Sequence, residues 1–220
     1  MCNLYSMLKS QDAMRRLFAA HDRLGNQPPL PGIYPDHAAP IVRNGPDGAE
    51  LVTARWGMPS PPSVLAGKAR DPGVTNIRNT GSPHWRPWLS VAHRCLVPVT
   101  SFAEPFRRAD GQSEPVWFAL DESRPLACFA GIWTRWTAVR KVKLGPETVD
   151  AFGFLTSAPN EEVAAVHPKA MPVILTDPAE WSAWLGAPWS EARGLQRPLP
   201  DGTLRIVQRG EPEDKYAAAD

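Results

Sequence analysis

The sequence has few cysteines, no long apolar run and little net charge, and each shortage excludes a class of protein. Its three cysteines, Cys2, Cys95 and Cys128, form no CxxC pair, which argues against a disulfide scaffold and favours a reducing compartment. No stretch reaches the roughly 18 consecutive apolar residues of a membrane span, and the N-terminus lacks a signal-peptide pattern. We therefore expect a cytoplasmic protein without membrane contacts.

The formal net charge of +1 conceals a basic half of the chain. Between residues 51 and 110 the basic side chains outnumber the acidic ones, and the acidic residues collect after residue 110. A basic patch can attract phosphate even when the whole chain is nearly neutral. Lysine and arginine on a solvated face explain the same bias, so the charge pattern alone identifies no partner.

Proline and tryptophan are abundant, with 25 and 9 residues. Prolines spread along the chain favour turns and extended segments over long helices. We expect one domain over residues 1–220, with residues 210–220 as a frayed tail. Short apolar runs predict a mainly β core. The predicted strands cover residues 51–56, 116–120, 126–133, 151–156, 173–175 and 204–207.

Three segments carry helix signals. Apolar residues at helical spacing predict an amphipathic helix within residues 10–21. Asp177 as a cap, followed by proline and glutamate, predicts a second helix that ends at Gly186. A third short helix is predicted over residues 160–166, directly before His167.

Cys2 is the most informative residue. The initiator methionine is generally removed before a small second residue, and its removal would give Cys2 a free α-amine beside its thiol. With ordinary pKa values of about 7.7–8.0 for the amine and about 8.5 for the thiol, both groups are usable near neutral pH. The amine can convert an aldehyde to an imine, and the nearby thiol can then close a thiazolidine ring. In most proteins a cysteine at this position has no special function, so the other segments must show whether Cys2 reacts.

Three other segments carry polar residues that could serve the same chemistry. Asn76 and Arg78 share one side of an extended segment, where arginine can bind phosphate and asparagine can orient a reacting group. Glu104 lies among apolar residues, which can raise a carboxyl pKa and suit it to acid–base catalysis. His167 is a potential proton shuttle. Taken singly, these residues are equally well explained as a polar loop, an exposed carboxylate and a structural histidine.

Together these segments resemble the SRAP family, the SOS-response-associated peptidase-like proteins typified by the protein that shields abasic sites in single-stranded DNA. The resemblance extends over nearly the whole chain. It implies an α+β fold that is mainly β, with a barrel-like core of mixed strands flanked by short helices. The motifs that carry it are Met1-Cys2, Arg55-Trp56-Gly57, Asn76-x-Arg78, the Arg94-Cys95-Leu96-Val97-Pro98 strand leading to Glu104, Ala130-Gly131-Ile132-Trp133, Phe154-Leu155-Thr156, and His167 followed by Met171-Pro172-Val173.

The resemblance also implies a role for each matching residue. Cys2 would form a covalent thiazolidine crosslink with single-stranded DNA at an abasic site and so shield the lesion. Asn76 would hold the N-terminal residue and the deoxyribose, and Arg78 would bind backbone phosphate. Glu104 would transfer protons, and His167 would assist opening of the sugar and reversal of the link. The implied protein is a monomer without metal or organic cofactor, associated with the nucleoid when it is bound to DNA.

Two further residues are candidates for DNA contact. Tryptophans can stack on unpaired bases, and Trp56 is our candidate, with packing in the core as the alternative. Thr156 falls at a matching position of the family motif.

Two other functions remain open. In a thiol peptidase, Cys2 and His167 would cleave peptide bonds, and removal of Met1 could be the only such reaction. The family name favours this hydrolase activity, and a lyase-type activity on DNA is a related expectation. A non-covalent single-strand binding module would use basic and aromatic residues and leave Cys2 incidental.

Overall fold

A computed structural model describes residues 2–216 of the protein, and strands are its main secondary structure. The strands are β1 (Leu4–Met7), β2 (His21–Asp22), β3 (Leu30–Ile33), β4 (Ala38–Gly45), β5 (Gly48–Trp56), β6 (Asn76–Ile77), β7 (Arg94–Val99), β8 (Ser101–Arg107), β9 (Ser113–Ala119), β10 (Ala127–Val139), β11 (Pro146–Ser157), β12 (Met171–Pro172), β13 (Ile174–Leu175) and β14 (Arg205–Arg209). The α-helices are α1 (Gln11–Leu17), α2 (Pro62–Leu65), α3 (Glu161–Ala164), α4 (Pro178–Gly186) and α5 (Trp189–Ala192).

Five strands close into a barrel, as expected. In order around the ring, β10 pairs with β11, β11 with β5, β5 with β4, β4 with β7, and β7 with β10 again. The β11–β5 pairing is parallel and the other four are antiparallel, so the barrel is mixed. Closure removes the exposed strand edges that an open sheet would present.

A second, antiparallel sheet brings the N-terminus to the barrel. Its strand order is β14-β9-β8-β1-β3. Strand β1 runs antiparallel to β8 with Leu4 opposite Ala103. Because antiparallel partners run in opposite directions, the residues just before Leu4 lie beside those just after Ala103. This register brings the start of the chain to Glu104.

The helices follow their capping signals. The Asp177 carboxylate accepts a hydrogen bond from the Ala179 amide at the start of α4, and that helix ends at Gly186 as predicted. Helix α1 is shorter than the predicted range of residues 10–21. It ends at Leu17, and Ala19 adopts a φ of 45° that a helix cannot continue through. None of the helices among residues 2–216 is long and apolar enough to cross a membrane.

The prediction of a frayed tail over residues 210–220 is wrong for residues 211–216. Asp214 is only 2% exposed. Its carboxylate accepts a hydrogen bond from the Ser101 hydroxyl at 2.5 Å and one from the Arg124 guanidinium at 3.3 Å. These bonds attach the segment to the second sheet, and the last four residues lie outside the described part of the chain.

Candidate functional site

Cys2 lies where the second sheet meets the barrel, and it is fully buried. The side-chain amide of Asn76 donates a hydrogen bond to the Cys2 carbonyl oxygen at 2.8 Å. Asn76 can reach it because β6 pairs in parallel with barrel strand β11, with Asn76 opposite Phe154. The Cys2 thiol itself lies 3.4 Å from the Leu4 carbonyl oxygen. The barrel therefore supplies an amide that fixes the backbone of Cys2.

Glu104 completes this group, which we call the Cys2 site (Cys2, Asn76 and Glu104). Its side chain is buried in β8, and burial raises its pKa to about 7. Burial also raises the pKa of the Cys2 thiol, and the negative charge of Glu104 raises it further. The site thus combines a neutral thiol with a carboxyl group that exchanges its proton near neutral pH.

Trp56 does not lie at the surface, so the prediction that its ring stacks on bases is wrong. The residue is 1% exposed, and its ring stacks on Phe154 at a centroid distance of 5.1 Å. Its indole N–H donates to the Thr75 carbonyl oxygen at 3.1 Å. Because Thr75 precedes Asn76, the tryptophan supports the Cys2 site from inside the barrel.

Arg78 and Thr156 differ in their access to solvent. Arg78 is exposed, whereas Thr156 is 1% exposed, so the Thr156 side chain does not reach the surface as a DNA contact would require. The amide of Gln196 donates to the backbone carbonyl oxygens of both residues, at 2.9 Å and 3.1 Å. Sequence reasoning missed Gln196, because nothing local in the sequence indicates a contact across more than a hundred residues.

His167 follows α3 in a loop that returns to the barrel. The return is fixed by β12, in which Pro172 pairs with Thr156 of β11. Partial burial lowers the pKa of His167, and the nearby positive charge of Lys169 acts in the same direction. A neutral imidazole at physiological pH can accept a proton.

A buried ion pair holds the loop that leads to Asn76. The side chains of Asp71 and Arg140 approach to 3.7 Å, and Arg140 also donates to the Gly57 carbonyl oxygen. Gly73 lies so close that a Cβ atom there would stand 2.1 Å from the arginine Nη1 atom, and its φ is +76°. The sequence did not single out this pair, because its members are 69 residues apart.

An open groove of about 630 Å³ ends at the Cys2 site. We call it the proline groove. Asn3, Leu4, Thr75 and Glu104 are among the residues that line it. Its walls include the prolines Pro35, Pro72, Pro105, Pro115 and Pro212.

Residues 2–216 contain no group of three or more His, Cys, Asp or Glu side chains arranged to hold a metal ion. The three cysteines are free thiols.

The chain matches the family model described as SOS response associated peptidase (SRAP) over residues 1–209. It therefore belongs to the SRAP family. None of the curated proteins compared with the chain matches it.

Three solved structures with the same fold come from two bacteria. A protein from Bordetella bronchiseptica is 27% identical, with a TM-score of 0.68 over 95% of this chain and 98% of that one. A protein from Bacteroides thetaiotaomicron is 18% identical, with a TM-score of 0.71 over 93% of this chain and 90% of that one. A phage-related protein from B. bronchiseptica is 18% identical, with a TM-score of 0.67 over 93% and 92% of the two chains.

Proposed function

From membership of the SRAP family and the geometry at Cys2, we infer that this protein captures abasic sites in single-stranded DNA as a covalent thiazolidine. The observation that carries the proposal is the hydrogen bond from Asn76 to the Cys2 carbonyl, beside the buried carboxyl of Glu104. The Asn76 amide and the Glu104 carboxyl group thus both lie beside Cys2. When Cys2 is the first residue of the chain, it carries two nucleophiles, its amine and its thiol.

The reaction starts once Met1 has been removed. The Cys2 amine adds to the aldehyde carbon of the ring-opened sugar and forms a carbinolamine. Loss of water gives the imine, and the thiol sulfur then adds to the same carbon while its proton passes to the nitrogen. One C–N and one C–S bond form, the C=O bond is lost, and one water molecule leaves.

Glu104 suits the dehydration step. A carboxyl group with a pKa of about 7 is partly protonated at neutral pH, so it can donate a proton to the departing hydroxyl group and take one back afterwards. Asn76 holds the Cys2 backbone, which keeps the amine near this acid. Intact nucleotides present no aldehyde, so the chemistry itself selects the lesion.

The electrostatics at Cys2 favour aldehyde capture over a thiol peptidase. A peptidase attacks with a thiolate, which neighbouring positive charge stabilises. Here burial and the Glu104 carboxylate both raise the pKa of the thiol. A neutral thiol is adequate for ring closure onto an imine, because that reaction is intramolecular.

Arg78 provides the contact to the DNA backbone in this proposal. It is exposed and lies two residues after Asn76, so a phosphate bound to its guanidinium would lie close to the reacting sugar. The protein acts without a metal ion or organic cofactor, since each step above is a proton transfer or an addition to carbon.

The test is intact-mass analysis of the protein after incubation with a short abasic oligonucleotide. The protein must first be shown by its mass to have lost Met1. We expect the wild type and a Cys128→Ser control to form a heat-stable adduct. The mass of each protein should increase by the mass of the oligonucleotide less one water. We expect Cys2→Ser to form only a transient imine, because its hydroxyl is a poorer ring-closing nucleophile than the thiol.

A durable adduct from Cys2→Ser would contradict ring closure through sulfur. Retention of Met1 in the active protein would contradict the whole scheme, because the Cys2 amine would then be a peptide nitrogen. A heat-stable complex of a Cys2→Ala variant would show that the link does not depend on the Cys2 thiol.

A further inference from the structure

The residues that line the proline groove are not those of a phosphate-binding site. Phosphate sites in proteins use arginine, lysine and backbone N–H groups. None of the groove-lining side chains among the described residues is a lysine, arginine or histidine. Five of the lining residues are prolines, which have no backbone N–H to donate. The groove is therefore poor in hydrogen-bond donors.

The same groove offers apolar surface. Leu4, Ala103 and Tyr34 contribute to its lining, and Leu4 and Ala103 rest on the buried Trp117 in a small apolar cluster of their own. Tyr34 is held by a hydrogen bond from its hydroxyl to the Pro212 carbonyl oxygen at 2.5 Å. The volume of about 630 Å³ lies within the range of about 300–1,000 Å³ typical of small-molecule pockets.

The groove is lined by neighbours of Cys2, although Cys2 itself is buried and is not among the lining residues. Asn3 and Leu4 follow Cys2 directly in the chain, and Thr75 precedes the Asn76 that binds the Cys2 carbonyl. Glu104 lines the groove as well. Its carboxylate repels an anion and leaves a neutral molecule unaffected.

We propose that the proline groove binds a free, neutral, apolar aldehyde and presents its carbonyl carbon to Cys2, so that the protein captures such small aldehydes as well as DNA. This activity rests on the proposed aminothiol chemistry of Cys2, but it requires no nucleic acid. The aldehyde and Cys2 give a thiazolidine and one water, through the same bond changes as above. The aliphatic tail lies between the prolines.

The test compares octanal, which is neutral and apolar, with glyoxylate, which is small and anionic. Each is mixed with the protein lacking Met1 and with a short peptide beginning Cys-Asn-Leu, and intact mass follows the rate of thiazolidine formation. The peptide reports the intrinsic reactivity of the two aldehydes. We expect the octanal-to-glyoxylate rate ratio to be at least about 10-fold higher for the protein, a preference that burial of two methylene groups is enough to supply.

A charge placed in the groove should weaken this preference. Ser113 is exposed and lines the groove, so Ser113→Arg adds a guanidinium there with little risk to folding. We expect it to lower the octanal-to-glyoxylate ratio by at least about 3-fold, since it attracts the anion and fills apolar space. Ser190→Arg is the matched control, because Ser190 is exposed on α5 and does not line the groove.

Two results would overturn this inference: a wild-type ratio equal to that of the peptide, or the same ratio in the Ser113→Arg and Ser190→Arg proteins. An abasic oligonucleotide tested in parallel separates the two proposals. If it forms an adduct while octanal shows no preference, only the small-aldehyde activity is wrong. If octanal is preferred and the oligonucleotide forms no adduct, only the DNA function is wrong.

Discussion

The Cys2 site and the interior of the barrel both bury cysteine thiols completely, but their surroundings differ. Cys95 on β7 and Cys128 on β10 are as inaccessible as Cys2, and burial raises the pKa of all three thiols. Only Cys2 has a side-chain amide on its carbonyl and a carboxyl group close enough to alter its pKa further. Burial therefore does not distinguish the cysteine that we propose to react from the other two. The polar neighbours do.

Among the changes that test this comparison, the largest effect should come from removing the Glu104 carboxyl group. We expect Glu104→Gln to slow adduct formation with the abasic oligonucleotide at least about 100-fold, the usual lower range for a general acid. In the wild type the rate should fall above about pH 7, as Glu104 loses its proton. The glutamine variant should lack that fall, which a rate-versus-pH profile measures.

Glu191→Gln is the matched control, because Glu191 is exposed on α5. Its rate and pH profile should equal those of the wild type. A Glu104→Gln protein that reacts within about 3-fold of the wild type would show that the acid is not part of the reaction.

The second prediction concerns the folding stability that the protein loses when the buried Glu104 carboxyl group ionises. The pKa of Glu104 is raised from 4.5 to about 7 in the folded protein, so between these values the folded state keeps a proton that the unfolded chain has released. The free energy of unfolding therefore decreases as pH rises through this window. Glutamine has no such proton, so Glu104→Gln should become more stable than the wild type by up to about 3 kcal/mol as pH increases.

Urea unfolding at pH 5 and pH 8 measures this difference. The stability gap between the variant and the wild type should widen in favour of the variant at the higher pH. A gap that is the same at both values would mean that Glu104 has an ordinary pKa, and that the Cys2 site and the barrel interior differ less than the structure indicates.

Local sequence was sufficient to predict six of the fourteen strands within residues 2–216 and most ends of the three predicted helices. Each of the six predicted strand segments overlaps an observed strand, because each combines β-branched or aromatic residues with nearby turn residues. The ends of the strands were harder to predict. The run at residues 126–133 continues to Val139, because its hairpin partner β11 supplies hydrogen bonds to polar residues that sequence alone would assign to a loop.

For the candidate site, too, some residues were predicted correctly from local sequence and others were not. Asn76 and Glu104 were identified from residue type and neighbours, and the structure places both against Cys2. Trp56 was assigned to the surface, although the alternation of β5, with Val52 and Ala54 buried, puts it on the buried face of the strand. The ordered segment at residues 211–216 was also missed, since its charged sequence indicates solvent, while Asp214 is in fact paired with Ser101 and Arg124 inside the protein.

The smallest effect should come from substitutions in the barrel interior. There we expect side-chain packing to affect folding stability and to leave adduct formation unchanged. A Cβ atom at Gly131 would lie 2.8 Å from the Cys95 sulfur and 2.9 Å from Val97 Cγ2, so Gly131→Ala should lower the free energy of unfolding by about 1–3 kcal/mol through overpacking. Cys95→Ala removes the sulfur, so the double variant should lose less stability than the sum of the single ones. Urea unfolding of the four proteins of this cycle measures the coupling. All of them should form the abasic-site adduct at the wild-type rate, and a loss of adduct in Cys95→Ala would show that the barrel thiol takes part in the chemistry after all.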